Sequence, residues 1–453
     1  MEGLIVMRVL FVTFPWRTHF HAVVPLAWSL NTAGHEVRVA STPELTDVIT
    51  GSGLTAVPVG PVESVLTKLE GLTDSEHRKR AEDLAERGDL LVDFAENREE
   101  ELTWERLRWL YRFFSETLRT MNDSMVEDLV EYSRWWQPDL VVWDWMSYAG
   151  PIAATAVGAA NARMPIGLDV EGRMRRHYLR LRAQQPETER EDPVGEWLAG
   201  WAKKYGKPFS EEMVTGHFSV DQVLGSMRVE QKVPHVDNRY TAYNGPSVAA
   251  EWTRRDPEKR RVLATFGLSL EQTAKQQALS GEQLQAMLDS LADLDIELVL
   301  TLPEQLEREL DRVPDNTKIV PFVPVHVILP SCAAVIHHGG IPVWLDAMAH
   351  GVPQVMVSRV VPDISERGPR LERAGAGLWY PVDAEGDGHL MEKMGGAAPE
   401  AVGAWIRESL VRVLDEPEFL AAAGRLREEA LAQPTPNDAV PELERLVELH
   451  RSR

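Results

Sequence analysis

Residues 7–40 read MRVLFVTFPWRTHFHAVVPLAWSLNTAGHEVRVA, and the rest of the fold follows from them. Met7 to Thr13 is an apolar, β-branched run that suits a buried strand. Val23, Val24, Leu26, Ala27 and Leu30 then recur at helical spacing, which predicts a helix over Ala22 to Asn31. Gly34 ends that helix, and a second strand, Glu36 to Ala40, begins two residues later. Strands joined this way run parallel, because a parallel pair needs a crossover connection of this kind. Leu54 to Val59 and Asp139 to Trp143 read as further strands of the same sheet, with a long helical stretch from about Glu99 to Trp136 between them.

A charged stretch, Glu171 to Lys207, has no strand signals, and residues 238–260, which collect Pro, Gly, Asn and charged residues, read as a linker. A second alternating block follows. Arg261 to Thr265, Glu297 to Leu302, Lys318 to Phe322, Ala333 to His337 and Gln354 to Val357 read as buried strands, separated by helices such as Ser280 to Ala292. Two α/β halves joined by a linker imply a cleft, and ligands of open parallel sheets bind beyond the carboxyl ends of the strands.

Composition narrows the function classes. Among 453 residues, 70 Asp and Glu stand against 48 Lys and Arg, a net charge of −22. No basic face is then available for nucleic acid or anionic lipid. Cys332 is the single cysteine, which excludes an internal disulfide framework and a cysteine-based zinc cluster. No apolar run reaches the 18 or so residues of a membrane span, and MEGLIVMRVL lacks the features of a secretory signal. The expectation is a cytoplasmic protein.

Several catalytic signatures are missing. Phe14-Pro15-Trp16-Arg17 follows the first strand where a dinucleotide-binding enzyme would carry G-x-G-x-x-G, and there is neither a Walker A loop nor H-E-x-x-H. Asp293 and Asp295 read as a solvated turn. His19, just before the predicted helix, is a candidate general base, because a strand-to-helix loop faces the predicted cleft. Asp144 ends another strand of the same half. It reads equally as the carboxylate that orients His19 or as a cap on the segment after it. His337-His338-Gly339-Gly340 closes a strand directly before a predicted helix, Ile341 to His350. Glycines there admit close backbone approach, and the helix N-terminus attracts an anion such as a pyrophosphate; a tight turn alone is the structural alternative.

Taken in order, Phe322-Val323-Pro324 to Leu329-Pro330, His337-His338-Gly339-Gly340, His350-Gly351-Val352-Pro353-Gln354, and Asp363 with Gly375-Ala376-Gly377 resemble the nucleotide-sugar half of GT-B glycosyltransferases. Val24-Pro25-Leu26-Ala27-Trp28, Ala33-Gly34-His35-Glu36-Val37-Arg38-Val39, Pro138 to Asp144 and Asn244-Gly245-Pro246-Ser247 match the other half. The resemblance covers nearly the whole chain and points to the actinobacterial enzymes that attach deoxysugars to macrolide and anthracycline antibiotics. It implies two Rossmann-like domains facing across a cleft. Residues 1–237 would bind the acceptor, 238–260 link the domains, 261–430 bind the nucleotide sugar, and 431–453 form a helix packing back on the first domain.

By the same resemblance His19 falls on the family's general base and Asp144 on its orienting carboxylate. His338, Gly339 and Gly340 fall on the pyrophosphate site, Phe322 and Val323 on the nucleobase site, and Thr265-Phe266-Gly267-Leu268-Ser269, with Thr265, Gly267 and Ser269, on a loop approaching the donor. Asp363 falls on the carboxylate that bonds sugar hydroxyls, and Trp16 and Trp145 lie where the acceptor would be lined. The implied reaction is inverting transfer of a hexose from a dTDP-deoxysugar to a polyketide-type aglycone, with no metal or other cofactor. The broad aromatic surface within 99–136 resembles the docking region for a cytochrome-P450-like activator, with a homodimer as the competing occupant. Two departures stand out. Ile341-Pro342-Val343 replaces the usual small residue, glycine and hydroxyl residue, and Ile364 replaces a second polar sugar contact. Loss of one amide and one hydroxyl predicts weaker donor binding, at roughly 1.5–3 kcal/mol for each bond to a charged group. The first departure motivates a second reading, a non-catalytic nucleotide-binding or scaffold protein of the same fold; a sugar-nucleotide epimerase is a third.

Overall fold

A computed structural model describes residues 6–62, 96, 98–230, 232–266, 279–358, 363–380 and 398–451. The chain divides into two compact units. One comprises Met1–Val223, Arg228–Thr241 and Pro434–Arg453, the other Leu224–Met227 and Ala242–Gln433. The division at Thr241 falls inside the stretch 238–260 that reads as a linker.

The first unit carries β1 (Arg8–Val12), β2 (Glu36–Ser41), β3 (Thr55–Pro58), β4 (Leu140–Asp144), β5 (Ala160–Met164), β6 (Phe218–Asp221) and β7 (His235–Asp237). All pair in parallel, in the order β3-β2-β1-β4-β5-β6-β7. Val12 of β1 lies opposite Ala40 on one side and Trp143 on the other. The strand order therefore reverses between β1 and β4, and the loops leaving these two strands flank the switch point where open sheets form a crevice.

Helix α1 (Arg17–Thr32) begins five residues before the predicted start at Ala22. Its N-cap, Trp16, is extended, and the Trp16 carbonyl accepts from the His19 and Phe20 amides, both at 3.1 Å. Apolar spacing marks only the part of a helix that faces a core, so it misses a first turn built from Arg17, Thr18 and His19. His19 thus stands inside the helix, in its first turn, and not before it. Helix α2 (Trp104–Trp136) is capped by Thr103, whose hydroxyl accepts from the Arg106 amide, and ends at Gln137 in the left-handed region. Its Tyr111 stacks on Tyr178 at 4.0 Å and Trp104 packs at 5.2 Å on the same ring. Leu107, Leu110, Tyr111 and Leu118 are buried, and Trp104, Trp109, Phe113 and Phe114 are half-buried, so the apolar surface is narrower than the sequence suggests. Tyr178 belongs to α4 (Val170–Ala183), which follows α3 (Ala149–Val157) and precedes α5 (Pro193–Lys204).

The second unit carries β8 (Arg260–Thr265), β9 (Ile296–Thr301), β10 (Thr317–Val320), β11 (Cys332–His337), β12 (Gln354–Met356) and β13 (Gly377–Trp379), again all parallel, in the order β10-β9-β8-β11-β12-β13. β10 stops at Val320 instead of running to Phe322, because Pro321 has no amide for the ladder. Its longer helices among the described residues are α6 (Gly281–Leu291), α7 (Ile341–His350), α8 (Ile364–Arg373), α9 (Pro399–Asp415) and α10 (Pro417–Ala432). Strand residues alternate between two cores. Val262, Ala264, Leu298 and Leu300 meet Met287 and Ile406, while Leu263, Val299 and Val335 meet Val343 and Ala347 of α7. Here the order reverses between β8 and β11, directly below the His-His-Gly-Gly turn.

Helix α11 (Pro436–His450) belongs to the first unit. Glu444 lies 3.1 Å from His35, His450 stacks on His217 at 4.8 Å, and Arg451 donates to Asp139 at 3.1 Å. Among the described residues no helix is long and apolar enough to cross a membrane.

Candidate functional site

In the first unit the site forms where β1 and β4 end. Asp144 is almost completely buried, and its two oxygens do different work. Oδ1 accepts from the Met146 amide at 2.8 Å, which caps the turn after β4. Oδ2 accepts from the Phe14 amide at 2.5 Å and from Thr13 Oγ1 at 3.2 Å, and it lies 3.5 Å from His19 Nδ1. The cap reading of Asp144 is realised through Oδ1, while Oδ2 stands near the His19 ring. The His19 contact is an ion-pair distance and not yet a hydrogen bond: Nδ1 is buried without a hydrogen-bond partner. Proximity to Asp144 favours the proton on Nδ1, which leaves Nε2 as the basic atom.

An aromatic wall surrounds the imidazole. Trp16 meets it edge to face at 5.3 Å and Phe14 stands at 5.8 Å. Phe14, Met121 and Met146 form a small apolar cluster against which Trp16 and Trp145 pack. Buried Asn122 of α2 fixes the turn, donating to the Met146 carbonyl at 2.9 Å and accepting from the Ala149 amide at 3.0 Å. Sequence reasoning missed Thr13 and Asn122. The position of Thr13 at a strand end could have flagged it; a single asparagine inside a long helix gives no signal. His21 lies two residues beyond His19. Burial, helped by Arg17, pushes it down to about 4, so it stays neutral.

In the second unit the carboxyl ends of β8 and β11 carry Thr265 and the His337 to Gly340 turn. His337 is fully buried; its Nδ1 accepts from the Gly339 amide at 3.0 Å, and its Nε2 donates to Gln354 Oε1 at 2.9 Å. Gly339 has φ of +83°, and a Cβ there would lie 2.5 Å from Ile364, so this position requires glycine. The His338 ring lies over Gly340, within 2.8 Å of where a Cβ would stand. Burial holds His338 down at about 4, with a hydrogen bond to the Thr265 backbone opposing it and the Arg367 charge adding to it. A neutral ring there still donates one hydrogen bond. Gly340 is the N-cap of α7, with Pro342 in the first turn, so the free first-turn amides face the same turn.

The remaining predicted residues differ in availability. Phe322 is 39% exposed, whereas Val323 is buried in the core with Leu263 and Val335. The Thr265 hydroxyl accepts from Thr301 at 2.7 Å. Asp363, also buried, accepts from Arg367 Nη2 at 2.8 Å. Gly267 and Ser269 lie outside the described residues. Val343, the expected loss of a hydroxyl, faces the core and is 6% exposed. An open groove of about 630 Å³ lined by Trp252, Arg261 and Glu297 sits at the amino ends of β8 and β9, the edge away from these residues, and takes no part in the site.

Family models described as erythromycin biosynthesis protein CIII-like match this chain twice, the N-terminal domain over residues 28–267 and the C-terminal domain over 285–446. The chain belongs to the erythromycin biosynthesis protein CIII-like family. Among curated relatives, it is 42% identical to aclacinomycin-T 2-deoxy-L-fucose transferase of Streptomyces galilaeus, with 98% of this chain and 97% of that one aligned. It is also 42% identical to 10-deoxymethynolide desosaminyltransferase of Streptomyces venezuelae, with 98% of each covered. The crystal structure of glycosyltransferase VinC in complex with dTDP superposes with a TM-score of 0.81 at 36% identity, over 98% of this chain and all of that one. This member of the erythromycin biosynthesis protein CIII-like family is therefore a glycosyltransferase of the GT-B fold, built from two Rossmann-like domains.

Proposed function

We propose that the chain transfers a deoxysugar from a dTDP-deoxysugar to a hydroxyl of a polyketide-type aglycone, with inversion at the anomeric carbon. The observation that carries the reading is the buried pair His19 and Asp144 at the first switch point, 3.5 Å apart. Relatives named for deoxysugar transfer to antibiotic aglycones support the substrate classes. His19 Nε2 takes the proton of the acceptor hydroxyl, and Asp144 holds the ring and stabilises the imidazolium. The acceptor oxygen attacks the anomeric carbon as its bond to the diphosphate breaks, and dTDP leaves from the opposite face. Trp16 and Trp145 line the acceptor. In the second unit the first-turn amides of α7, Gly339, Gly340 and His338 hold the diphosphate and stabilise its growing charge without a metal. Phe322 takes the base, with Val323 available through its backbone alone because its side chain is in the core; Asp363 takes the sugar hydroxyls, and Thr265, with Gly267 and Ser269 outside the described residues, is assigned to the donor loop.

General-base assistance is typically worth about 10²–10⁴-fold. His19→Ala is expected to lower turnover by that order while calorimetry finds dTDP affinity unchanged; an active variant would overturn the assignment.

The proposal extends to a cytochrome-P450-like activator docking on residues 99–136, where Trp109 and Phe113 are half-buried and Trp135 is 70% exposed. Turnover of the isolated chain should then rise on adding such a protein. A dimer by sedimentation, with no activation, would assign this surface to self-association instead.

A further inference from the structure

Arg367 was not legible as a functional residue. It lies on α8, in the charged run Ser365-Glu366-Arg367-Gly368-Pro369-Arg370, yet its side chain is fully buried. Nη1 donates to the Gly339 carbonyl, Nη2 donates to Asp363 Oδ1 at 2.8 Å, and the guanidinium stands 5.7 Å over the Trp344 ring. Nε is buried without a hydrogen-bond partner. Burying a guanidinium is costly unless its bonds are specific, and these two bonds reach the backbone of one donor-site element and the carboxylate of another. The Gly339 carbonyl and the Gly340 amide belong to one planar trans peptide and point in opposite directions. Fixing the oxygen on Arg367 therefore fixes where the Gly340 N–H points. The positive charge also reaches the turn, where it helps to keep both His337 and His338 neutral.

We propose that Arg367 is a positioning residue of the donor half, locking the Gly339–Gly340 peptide and the Asp363 carboxylate into one unit so that diphosphate and sugar are held in fixed relation. The inference rests on the donor-site reading above. It requires that losing Arg367 harms recognition of a dTDP-sugar more than recognition of dTDP, because the first uses both ends of the unit and the second only one. It also distinguishes charge from span. A lysine keeps the charge, but a single ammonium cannot hold two partners as a planar fork does.

The test is calorimetric titration of the full chain with dTDP and with dTDP-L-rhamnose as the deoxysugar probe, alongside melting temperatures and steady-state kinetics. Arg367→Met is expected to weaken dTDP about tenfold, the weight of one charge-assisted bond, and dTDP-L-rhamnose about a hundredfold. Its kcat should fall, with the acceptor KM unchanged. Arg367→Lys is expected to bind dTDP within about threefold of wild type and still to lose about tenfold for dTDP-L-rhamnose. A folded Arg367→Met with wild-type affinity for both ligands would reduce Arg367 to a structural role. Should Arg367→Met fail to fold, wild-type affinity for both ligands in Arg367→Lys overturns the proposal equally. The underlying reading fails by a different result, unchanged dTDP affinity in His338→Ala.

Discussion

His19 and His338 both lie in the strand-to-helix connection at a switch point of their unit, and their companions have opposite charge. Each follows a strand at a switch point, His19 inside the first turn of α1 and His338 two residues before the N-cap of α7. His19 has the Asp144 carboxylate at 3.5 Å; His338 feels the Arg367 guanidinium. A carboxylate stabilises the imidazolium that a general base becomes, whereas a cation keeps the ring neutral, a hydrogen-bond donor that takes up no proton. On the proposed roles, two strand-to-helix connections support two chemistries, with burial and the neighbouring side chain together setting the state of each ring. Exchanging the losses is the sharpest test. His19→Ala should cost turnover by about 10²–10⁴-fold and leave dTDP binding alone, as the proposed base. His338→Ala should raise the dTDP Kd about tenfold. Equal effects of both variants on dTDP binding would break the comparison.

The two turns also differ in how far they could be read in advance. The strands around them were legible where an apolar run is broken only at its ends, as in β1, β4 and β11. β5 was not, because Asn161 and Arg163 interrupt it; both are buried, Asn161 accepting from the Trp143 indole and Arg163 paired with Asp169. Their partners lie elsewhere in the sequence, so a polar residue that is satisfied inside the fold looks like a loop residue outside it. β6 and β7 were missed for a related reason: each is short and ends in an aspartate that pairs with Arg228. For the site, the second turn was legible from its run of histidines and glycines, of which Gly339 is demanded locally by backbone geometry. Arg367 did not, because nothing in the sequence separates it from Arg370 and Arg373 on the same helix.

A pH series sharpens the comparison at the next level of effect. Burial, aided by neighbouring cations, holds His21 and His338 near 4 and His337 near 3, against 6.5 for a free imidazole. Between these limits the unfolded chain binds more protons than the folded one, so stability rises with pH. It is fully present above about pH 6.5 and is lost as pH falls toward 4, on the order of 3 kcal/mol for a single fully buried ring. The melting temperature should therefore drop across that window. Because burial keeps His337 and His338 neutral above about pH 5, neither should add a proton to the acid limb of kcat/KM above that pH. An acid limb that changes in His338→Gln would mean that His338 titrates there, and the contrast between the turns would be lost.

The smallest effect concerns the departure at Val343. Read from the sequence, a missing hydroxyl weakens the grip on diphosphate, and Val343→Thr should restore it. The packing argues otherwise. Val343 is 6% exposed and meets Leu263, Val299 and Val335, on the core side of α7. A threonine of nearly the same shape would bury its hydroxyl among these side chains, at a cost of about 1–3 kcal/mol if no partner is found. The expected outcome is a lower melting temperature with dTDP affinity within about twofold of wild type. A tenfold gain in affinity would mean that the α7 terminus turns its third residue toward the ligand, and the second turn would then recognise diphosphate through side chains as well as backbone. Without that gain, the proposed recognition of diphosphate rests on backbone amides and a single imidazole, and so depends on the orientation of the Gly339–Gly340 peptide.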